Sequence, residues 1–297
     1  MLKTVEKEII ERKLTRGQKL WNRLIELRRV SPISLERAKL LTASWKETEG
    51  LPHQIRRARA LEKILTEIPI YIDDEQLLTG DFGSWPMTAE WHPEQSVEWV
   101  LERFSEGKGN LIIKDEDARV MRDIAEYWKN KTAEARYFLR VGKKQEAWLK
   151  EIDLRGAWLC LPVHLNQGWN TPGYHIAIQK GFSGILNEVE EELSNTPVLD
   201  EASFDKRTFL EAMIIVIKAG IRYAGRYATL ARSMAKSAKG ARKAELEKIA
   251  EVCDWVPANP ARTFHEALQT MWFGHLFIFL DIHSSGISPM VPSASLI

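Results

Sequence analysis

One stretch of the sequence, MWFGHLFIFLDI at 271–282, constrains the fold more than any other. It is the most apolar segment of the chain, yet it has only 12 residues and includes His275 and Asp281. A membrane-spanning helix needs roughly 18 or more apolar residues, so this segment predicts a buried core helix instead. A helix that is apolar on most sides must also be covered on most sides. The rest of the chain therefore has to supply several neighbouring elements.

The neighbours that the sequence predicts are mostly helices. Thr263 and Glu266 have the spacing of a capping box, which places the start of the buried helix at Phe264. Ser31-Pro32 is typical of an N-cap followed by proline at the first helical position. The other predicted helices are 53–68, 115–131, 178–193, 205–234 and 241–252. Alternating apolar residues at 68–72 predict a short strand, and 77–93 and 156–174 predict irregular structure.

Charge and cysteine content exclude several classes of protein. The 297-residue chain carries 42 Lys and Arg against 41 Asp and Glu, so its formal net charge of +1 favours neither nucleic acid nor an anionic membrane. Arg56, Arg57 and Arg59 indicate a solvated or salt-bridged helix face. The two cysteines, Cys160 and Cys253, cannot form a disulfide framework, and the charged start is not a signal peptide. We therefore expect a cytoplasmic protein that binds neither nucleic acid nor membranes.

Few residues have a pattern that indicates chemistry. No histidine pair has HxxxH spacing and no CxxC occurs, so no metal site is predicted. Cys160 lies among apolar residues, which favours a buried structural thiol over a nucleophile. His164 lies in a segment rich in Gly, Pro, Asn and Trp, a composition typical of a loop that lines a cavity. His283, Ser284 and Ser285 directly follow the buried helix, so we predict that they reach a ligand.

Three segments together resemble the pyruvate formate-lyase-like glycyl radical enzymes. The first, at 51–83, is similar to the family's helix of Arg-Ala-x-Ala-Leu type and the I-x-I-x-x-x-E-L-(I/L)-x-G stretch after it. The second, at 168–193, is similar to a turn followed by a helix with a Lys-Gly pair, here Lys180-Gly181. The third, CDWVPANPARTFHEALQTMWFGHL at 253–276, resembles the family's C-x-x-V-P-x-x-P-x-R-T-F-x-E-A-L-Q run and is the most specific. The resemblance covers the chain from about residue 15 to 289.

The resemblance implies an α/β fold, a ten-stranded barrel built from two antiparallel halves and wrapped in helices. The family's catalytic cysteine and radical-carrying glycine lie on later loops of a longer chain. Neither a Gly-Cys pair nor an Arg-(Val/Ile)-x-Gly-Tyr motif occurs in this sequence, and Cys160 and Cys253 match neither position, so no catalytic residue is predicted. We therefore expect one domain over 1–297, the mainly helical N-terminal part of an incomplete barrel, truncated near 289 where MVPSASLI departs from the family pattern.

The resemblance also implies where substrate binds. The family's pocket receives groups from the loop before the Lys-Gly helix and from the segment after the buried apolar helix. The matching residues are His164, Asn166, Trp169, Asn170, His283, Ser284 and Ser285. Trp169 after the loop glycine and the stretch TAEWHPE at 88–94 depart from the polyol dehydratase pattern. A pocket lined by aromatic residues favours an arylacetate-type decarboxylase or an alkyl- or arylalkylsuccinate synthase.

The radical chemistry that the resemblance implies needs partners. In the family, a glycyl radical installed by an S-adenosylmethionine iron–sulfur activase passes to a cysteine, whose thiyl radical abstracts hydrogen from substrate. The expected function is a fragment of a C–C or C–O bond lyase, such as a decarboxylase, dehydratase or formate acetyltransferase-like protein. It would bind no cofactor and be inactive alone. Its expected partners are the activase, a chain carrying the missing half, and, for the full-length form, a second copy in a homodimer. Two alternatives stay open, a non-catalytic subunit or binding module of the same origin, and an unrelated helical enzyme that uses Cys160.

Overall fold

The computed structural model describes residues 14–27, 31–83, 89–97, 111–112, 115–154 and 172–281. The helices of this part are α1 (Arg16–Leu27), α2 (Glu36–Glu47), α3 (His53–Glu67), α4 (Asp115–Trp128), α5 (Ala133–Val141), α6 (Lys143–Leu154), α7 (Tyr174–Ser194), α8 (Glu201–Ala235), α9 (Gly240–Trp255) and α10 (Phe264–Asp281). The strands are β1 (Ser31–Ser34), β2 (Ala89–Glu90) and β3 (Leu111–Ile112). They form a parallel sheet in the order β2–β1–β3, with Ile33 opposite Ala89 and Ser31 opposite Leu111. The prediction of a mainly helical chain is confirmed for these residues, which contain this small sheet and no barrel.

Side-chain caps fix the beginnings of the longest helix and of the most apolar one. At the start of α8, the Asp200 carboxylate accepts a hydrogen bond from the Ser203 N–H at 2.8 Å, and Ser203 Oγ accepts from the Asp200 N–H at 2.9 Å. α10 begins at Phe264, as predicted, and Thr263 Oγ1 accepts from the Glu266 N–H at 3.2 Å. Such caps satisfy N–H groups that have no partner inside the helix.

The core forms where α3, α8 and α10 meet. The long helix α8 lies along α3 and α9, and its buried face is made largely of alanines and tyrosines, so the neighbouring helices approach closely. Phe273, Leu276 and Leu280 of α10 are fully buried in the same cluster. The prediction of a buried helix covered by helical neighbours is therefore confirmed. In the part of the chain that the structure describes, no helix is long and apolar enough to cross a membrane.

The helix start predicted at Ser31-Pro32 is wrong. These residues lie in β1, which pairs with β2 on one side and with β3 on the other. The first helix after them, α2, begins only at Glu36. The Ser-Pro pair favours a helix start on local grounds. Here, pairing with two strands from distant parts of the chain outweighs that local preference.

The short strand predicted at 68–72 is also wrong. Ile68 and Ile72 are both buried, which explains the apolar pattern, but the segment has no strand partner among the described residues. Instead, the Arg226 guanidinium of α8 donates hydrogen bonds to the backbone carbonyls of Leu65, at 2.7 Å, and of Ile68. The Arg226 side chain therefore satisfies the Ile68 carbonyl, which the pattern alone would assign to a sheet, and the Leu65 carbonyl near the end of α3.

Gly181 lets α7 interlock with the turn before α10. Its φ of 65° and ψ of 166° interrupt the helix in a conformation that favours glycine. The interruption frees the Phe182 N–H, which donates to the Pro257 carbonyl at 2.7 Å. The next N–H, of Ser183, donates to the Ala258 carbonyl at 2.9 Å. A Cβ on Gly181 would lie 2.5 Å from the Ala258 oxygen, so a larger residue requires the turn to move.

The segment that precedes residue 83 is fastened to α10 by side chains of that helix. The Gln269 side chain makes two hydrogen bonds to the backbone of Thr79. Its Oε1 accepts from the Thr79 N–H at 2.9 Å, and its Nε2 donates to the Thr79 carbonyl at 2.7 Å. The Trp272 indole N–H donates to the Gly80 carbonyl at 3.0 Å. Gly80 has a φ of 125°, and a Cβ there would lie 2.5 Å from Leu276 Cδ1. The three segments that carry the family resemblance thus meet at α10.

Candidate functional site at the C-terminal end of α10

The predicted binding residues lie outside the part of the chain that the structure describes. They are His164, Asn166, Trp169 and Asn170, within 155–171, and His283, Ser284 and Ser285, within 282–297, and the alternative nucleophile Cys160 lies outside it as well. The elements that border both segments are described. α7 begins at Tyr174, whose ring packs over Gly274 of α10, and α10 ends at Asp281, two residues before His283.

A buried arginine fixes the C-terminal end of α10. Arg37 of α2 is 1% exposed, and its Nε donates to the Leu280 carbonyl at 2.6 Å while one terminal nitrogen donates to the Asp281 carbonyl at 2.8 Å. The last carbonyls of a helix lack intrahelical partners and carry the negative end of the helix dipole, so a guanidinium is well matched to them. Glu94 accepts from both terminal nitrogens, at 2.6 and 3.2 Å, and compensates the buried charge.

Two further side chains hold the same helix end. The Arg57 guanidinium of α3 makes a two-pronged ion pair with the Asp281 carboxylate, at 3.0 and 2.7 Å. His92 Nε2 lies 3.3 Å from the Phe279 carbonyl oxygen. The prediction that the arginine cluster on α3 forms a solvated or salt-bridged face is confirmed for Arg57, which pairs with Asp281, and for Arg59. Arg56 instead packs over the Trp45 ring and donates to the Trp45 carbonyl. The residue from which 282–285 continue is therefore held by α2, α3 and the segment after β2.

A cluster of polar groups surrounds Asp81, next to Gly80, which packs against α10. The Asp81 carboxylate accepts a hydrogen bond from the Tyr71 hydroxyl, and the Asp81 backbone contacts Tyr223 and Tyr227 of α8, at 2.9 and 3.1 Å. Burial raises the pKa of Asp81, and it raises the pKa of Tyr227 to about 12. Both tyrosines stay neutral at physiological pH and act as hydrogen-bond donors or acceptors that fix the chain around Gly80.

The one cysteine of the described residues has no reactive character. Cys253 is 2% exposed, and burial raises the pKa of its thiol to about 12. A nucleophilic or radical-accepting thiol needs access, which this side chain lacks. In the same part of the chain, no group of three or more His, Cys, Asp or Glu side chains is arranged to hold a metal ion.

Comparison with known proteins identifies the architecture. A family model described as pyruvate formate lyase-like matches residues 11–292. The chain belongs to this family. It is 36% identical over 261 residues to isethionate sulfite-lyase of Oleidesulfovibrio alaskensis, covering 84% of this chain and 31% of that protein. It is 29% identical over 264 residues to (2S)-3-sulfopropanediol dehydratase of Klebsiella oxytoca, covering 86% of this chain and 32% of that protein.

Solved structures of the family have the same fold over this region. The chain is similar to the glycerol-bound B12-independent glycerol dehydratase of Clostridium butyricum, with a TM-score of 0.81, 32% identity, and coverage of 90% of this chain and 34% of that one. The resemblance to glycyl radical enzymes that the sequence indicates is therefore confirmed. The pyruvate formate lyase-like chain described here spans about a third of the length of the curated relatives it matches.

Sequence reasoning missed the residues that hold the end of α10. Arg37 lies in the sequence E-R-A-K on a short amphipathic helix, a pattern typical of a solvated face. Glu94 was noted only as part of TAEWHPE at 88–94. The only available signal was the apolar helix itself, whose C-terminal carbonyls need partners from elsewhere in the chain.

Proposed function

We propose that this chain is the N-terminal portion of a glycyl radical lyase that cleaves a C–C or C–O bond, and that it has no turnover by itself. The observation that carries the proposal is the family match over 11–292, which corresponds to only about a third of the relatives' length. The buried thiol of Cys253 supports it, because the thiol of a radical enzyme must reach substrate. In the proposal, the part of the enzyme that corresponds to the other two thirds of the relatives' length completes the barrel and supplies the catalytic cysteine and the radical glycine.

The role of this chain in the proposal is to bind and orient substrate. The residues expected to face it are His164, Asn166, Trp169, Asn170, His283, Ser284 and Ser285. Their imidazole, amide and hydroxyl groups supply donors and acceptors, and Trp169 supplies an apolar wall. The anchored end of α10 supports this role, since a binding group must be held in one position to orient a reacting bond. When installed by an S-adenosylmethionine iron–sulfur activase, the glycyl radical supplies hydrogen abstraction, and the full-length form is expected to be a homodimer.

Exposed apolar side chains support contact with the rest of the enzyme. Phe204 and Phe209 of α8 are 50% and 56% exposed, and Leu199 just before the helix is 82% exposed. Large aromatic side chains are enriched at protein interfaces. These side chains equally support the alternative function, a non-catalytic subunit derived from the family.

The test combines the purified chain with its activase under anaerobic conditions, with and without a polypeptide that carries the Gly-Cys and Arg-x-x-Gly-Tyr motifs. Candidate substrates are phenylacetate for C–C cleavage and glycerol for C–O cleavage, and product from isethionate would assign the enzyme to C–S cleavage instead. We expect an organic-radical EPR signal and product only when the second polypeptide is present. His283→Ala should lose product but keep the EPR signal, while Cys253→Ala keeps both. A radical signal from the chain alone contradicts the proposal, and stable association without turnover of any substrate favours the non-catalytic subunit.

A further inference from the structure

A cavity of about 360 Å³ lies among α2, α3, α5 and the C-terminal end of α10. Its volume falls within the range of small-molecule pockets, roughly 300–1,000 Å³. The indole rings of Trp45 and Trp128, which meet edge to face with centroids 5.4 Å apart, form part of its wall. Leucine and isoleucine side chains of α2 and α3 line it as well. We name it the Trp45 cavity.

The lining of the Trp45 cavity carries more positive than negative charge. Its cations are Arg37, Arg57, Lys131 and Arg136, and its carboxylates are Glu94 and Asp281. Both carboxylates already form ion pairs, Glu94 with Arg37 and Asp281 with Arg57. Lys131 and Arg136 form no ion pair with any residue in the described part of the chain, and Lys131 Nζ lies 3.6 Å from the Tyr127 ring centroid. Two cationic groups thus remain available to an anion.

The ionisation of His53, which lines the same cavity, agrees with this charge distribution. Burial lowers the pKa of His53, and the positive charges of Arg57, Arg136 and Arg56 lower it further. The imidazole is therefore neutral at physiological pH and adds no competing cation. The excess of positive charge and the two indole rings together favour a negatively charged and partly apolar ligand.

We propose that the Trp45 cavity binds a small organic anion, a carboxylate whose charge is met by Arg136 and Lys131. The apolar part of the ligand lies against the indoles of Trp45 and Trp128. The described residues of the site belong to α2 to α5, the segment after β2 and the end of α10, and the proposal does not depend on radical chemistry. Its test is therefore independent of the lyase proposal.

The experiment measures binding of benzoate to the full chain by isothermal titration calorimetry at fixed ionic strength. Benzamide, which has the same ring and no charge, serves as the ligand control. We expect saturable benzoate binding at least tenfold tighter than that of benzamide. Arg136→Gln should weaken benzoate binding about tenfold, the effect of losing one charge-assisted hydrogen bond.

The matched control is Arg140→Gln, since Arg140 is an exposed arginine on the same helix and does not line the cavity. It should leave benzoate affinity unchanged. Lys131→Gln provides a second cavity variant if Arg136→Gln alters the melting temperature. The proposal is overturned if benzoate does not saturate the chain, if benzamide binds equally well, or if both cavity variants bind benzoate like Arg140→Gln.

Discussion

Replacing Gly181 by alanine tests whether the interlock between α7 and the 257–259 turn stabilises the fold. Gly181 has φ 65° and ψ 166°, a conformation that side-chain-bearing residues rarely adopt. The added methyl group would lie 2.5 Å from the Ala258 oxygen and 2.5 Å from the Asn259 carbonyl carbon. Both contacts are with backbone, so neither can be relieved by turning a side chain.

The expected loss follows from two contributions. Backbone strain in such a conformation costs about 1–3 kcal/mol for a residue other than glycine. Relief of the close contact moves the turn away from α7 and weakens the hydrogen bonds from Phe182 to Pro257 and from Ser183 to Ala258, each worth about 1 kcal/mol. Together these contributions predict that Gly181→Ala lowers the free energy of unfolding by about 3–5 kcal/mol.

The assay is urea denaturation followed by far-UV circular dichroism, with Gly225→Ala as the matched control. Gly225 lies inside α8, and a Cβ there meets nothing within 4 Å. This control should raise the free energy of unfolding by about 0.5–1 kcal/mol, because glycine is unfavourable in a helix interior. If Gly181→Ala is as stable as the wild type or Gly225→Ala, the interlock contributes nothing and the reasoning is refuted.

Two further predictions concern buried charges. Arg37→Met should lower the free energy of unfolding by roughly 2–3 kcal/mol, less than for a fully buried pair because the Glu94 side chain is 22% exposed. Urea denaturation should show this loss and almost none for Arg140→Met, and equal stability of the two variants would contradict it. Hydrogen bonds from Arg262 outweigh burial and lower the folded pKa of Glu266, so its contribution is complete above its ordinary pKa of 4.5 and is lost as the pH falls through the folded value. The stability difference between wild type and Glu266→Gln should shrink below pH 4.5, and a difference that stays constant with pH would refute this assignment.

Local sequence signals predicted the helices well where one physical cause dominates. The start of α10 at Phe264 follows from the Thr263 hydroxyl, which needs only the next turn of chain. The long helix predicted at 205–234 is observed as Glu201–Ala235, because its pattern persists over many turns. Its beginning was missed by four residues, since the capping pair of Asp200 and Ser203 lies outside the apolar pattern.

Predictions failed where the local structure is determined by contacts with residues that are distant in sequence. The strand β1 exists because β2 and β3 pair with it, and nothing within 31–34 indicates those partners. The polar contacts around α10 could not be predicted for the same reason. Arg37, for example, is separated from the carbonyl of Leu280 by 243 positions in sequence. Burial of a charged side chain is a property of the assembled core, and its local sequence resembles that of a solvated helix.

The segments that identify the family here have mainly structural roles. Gly181 makes room for the 257–259 turn, Gln269 and Gly80 join the preceding segment to α10, and Arg262 pairs with the buried Glu266. Each of these contacts positions α10, and none involves a group that could exchange hydrogen with a substrate. Relatives with different reactions can therefore share these segments, because each of them has to hold one apolar helix and its C-terminal end in place. The family resemblance therefore accounts for how α10 and its C-terminal end are held, and it does not by itself specify the reaction.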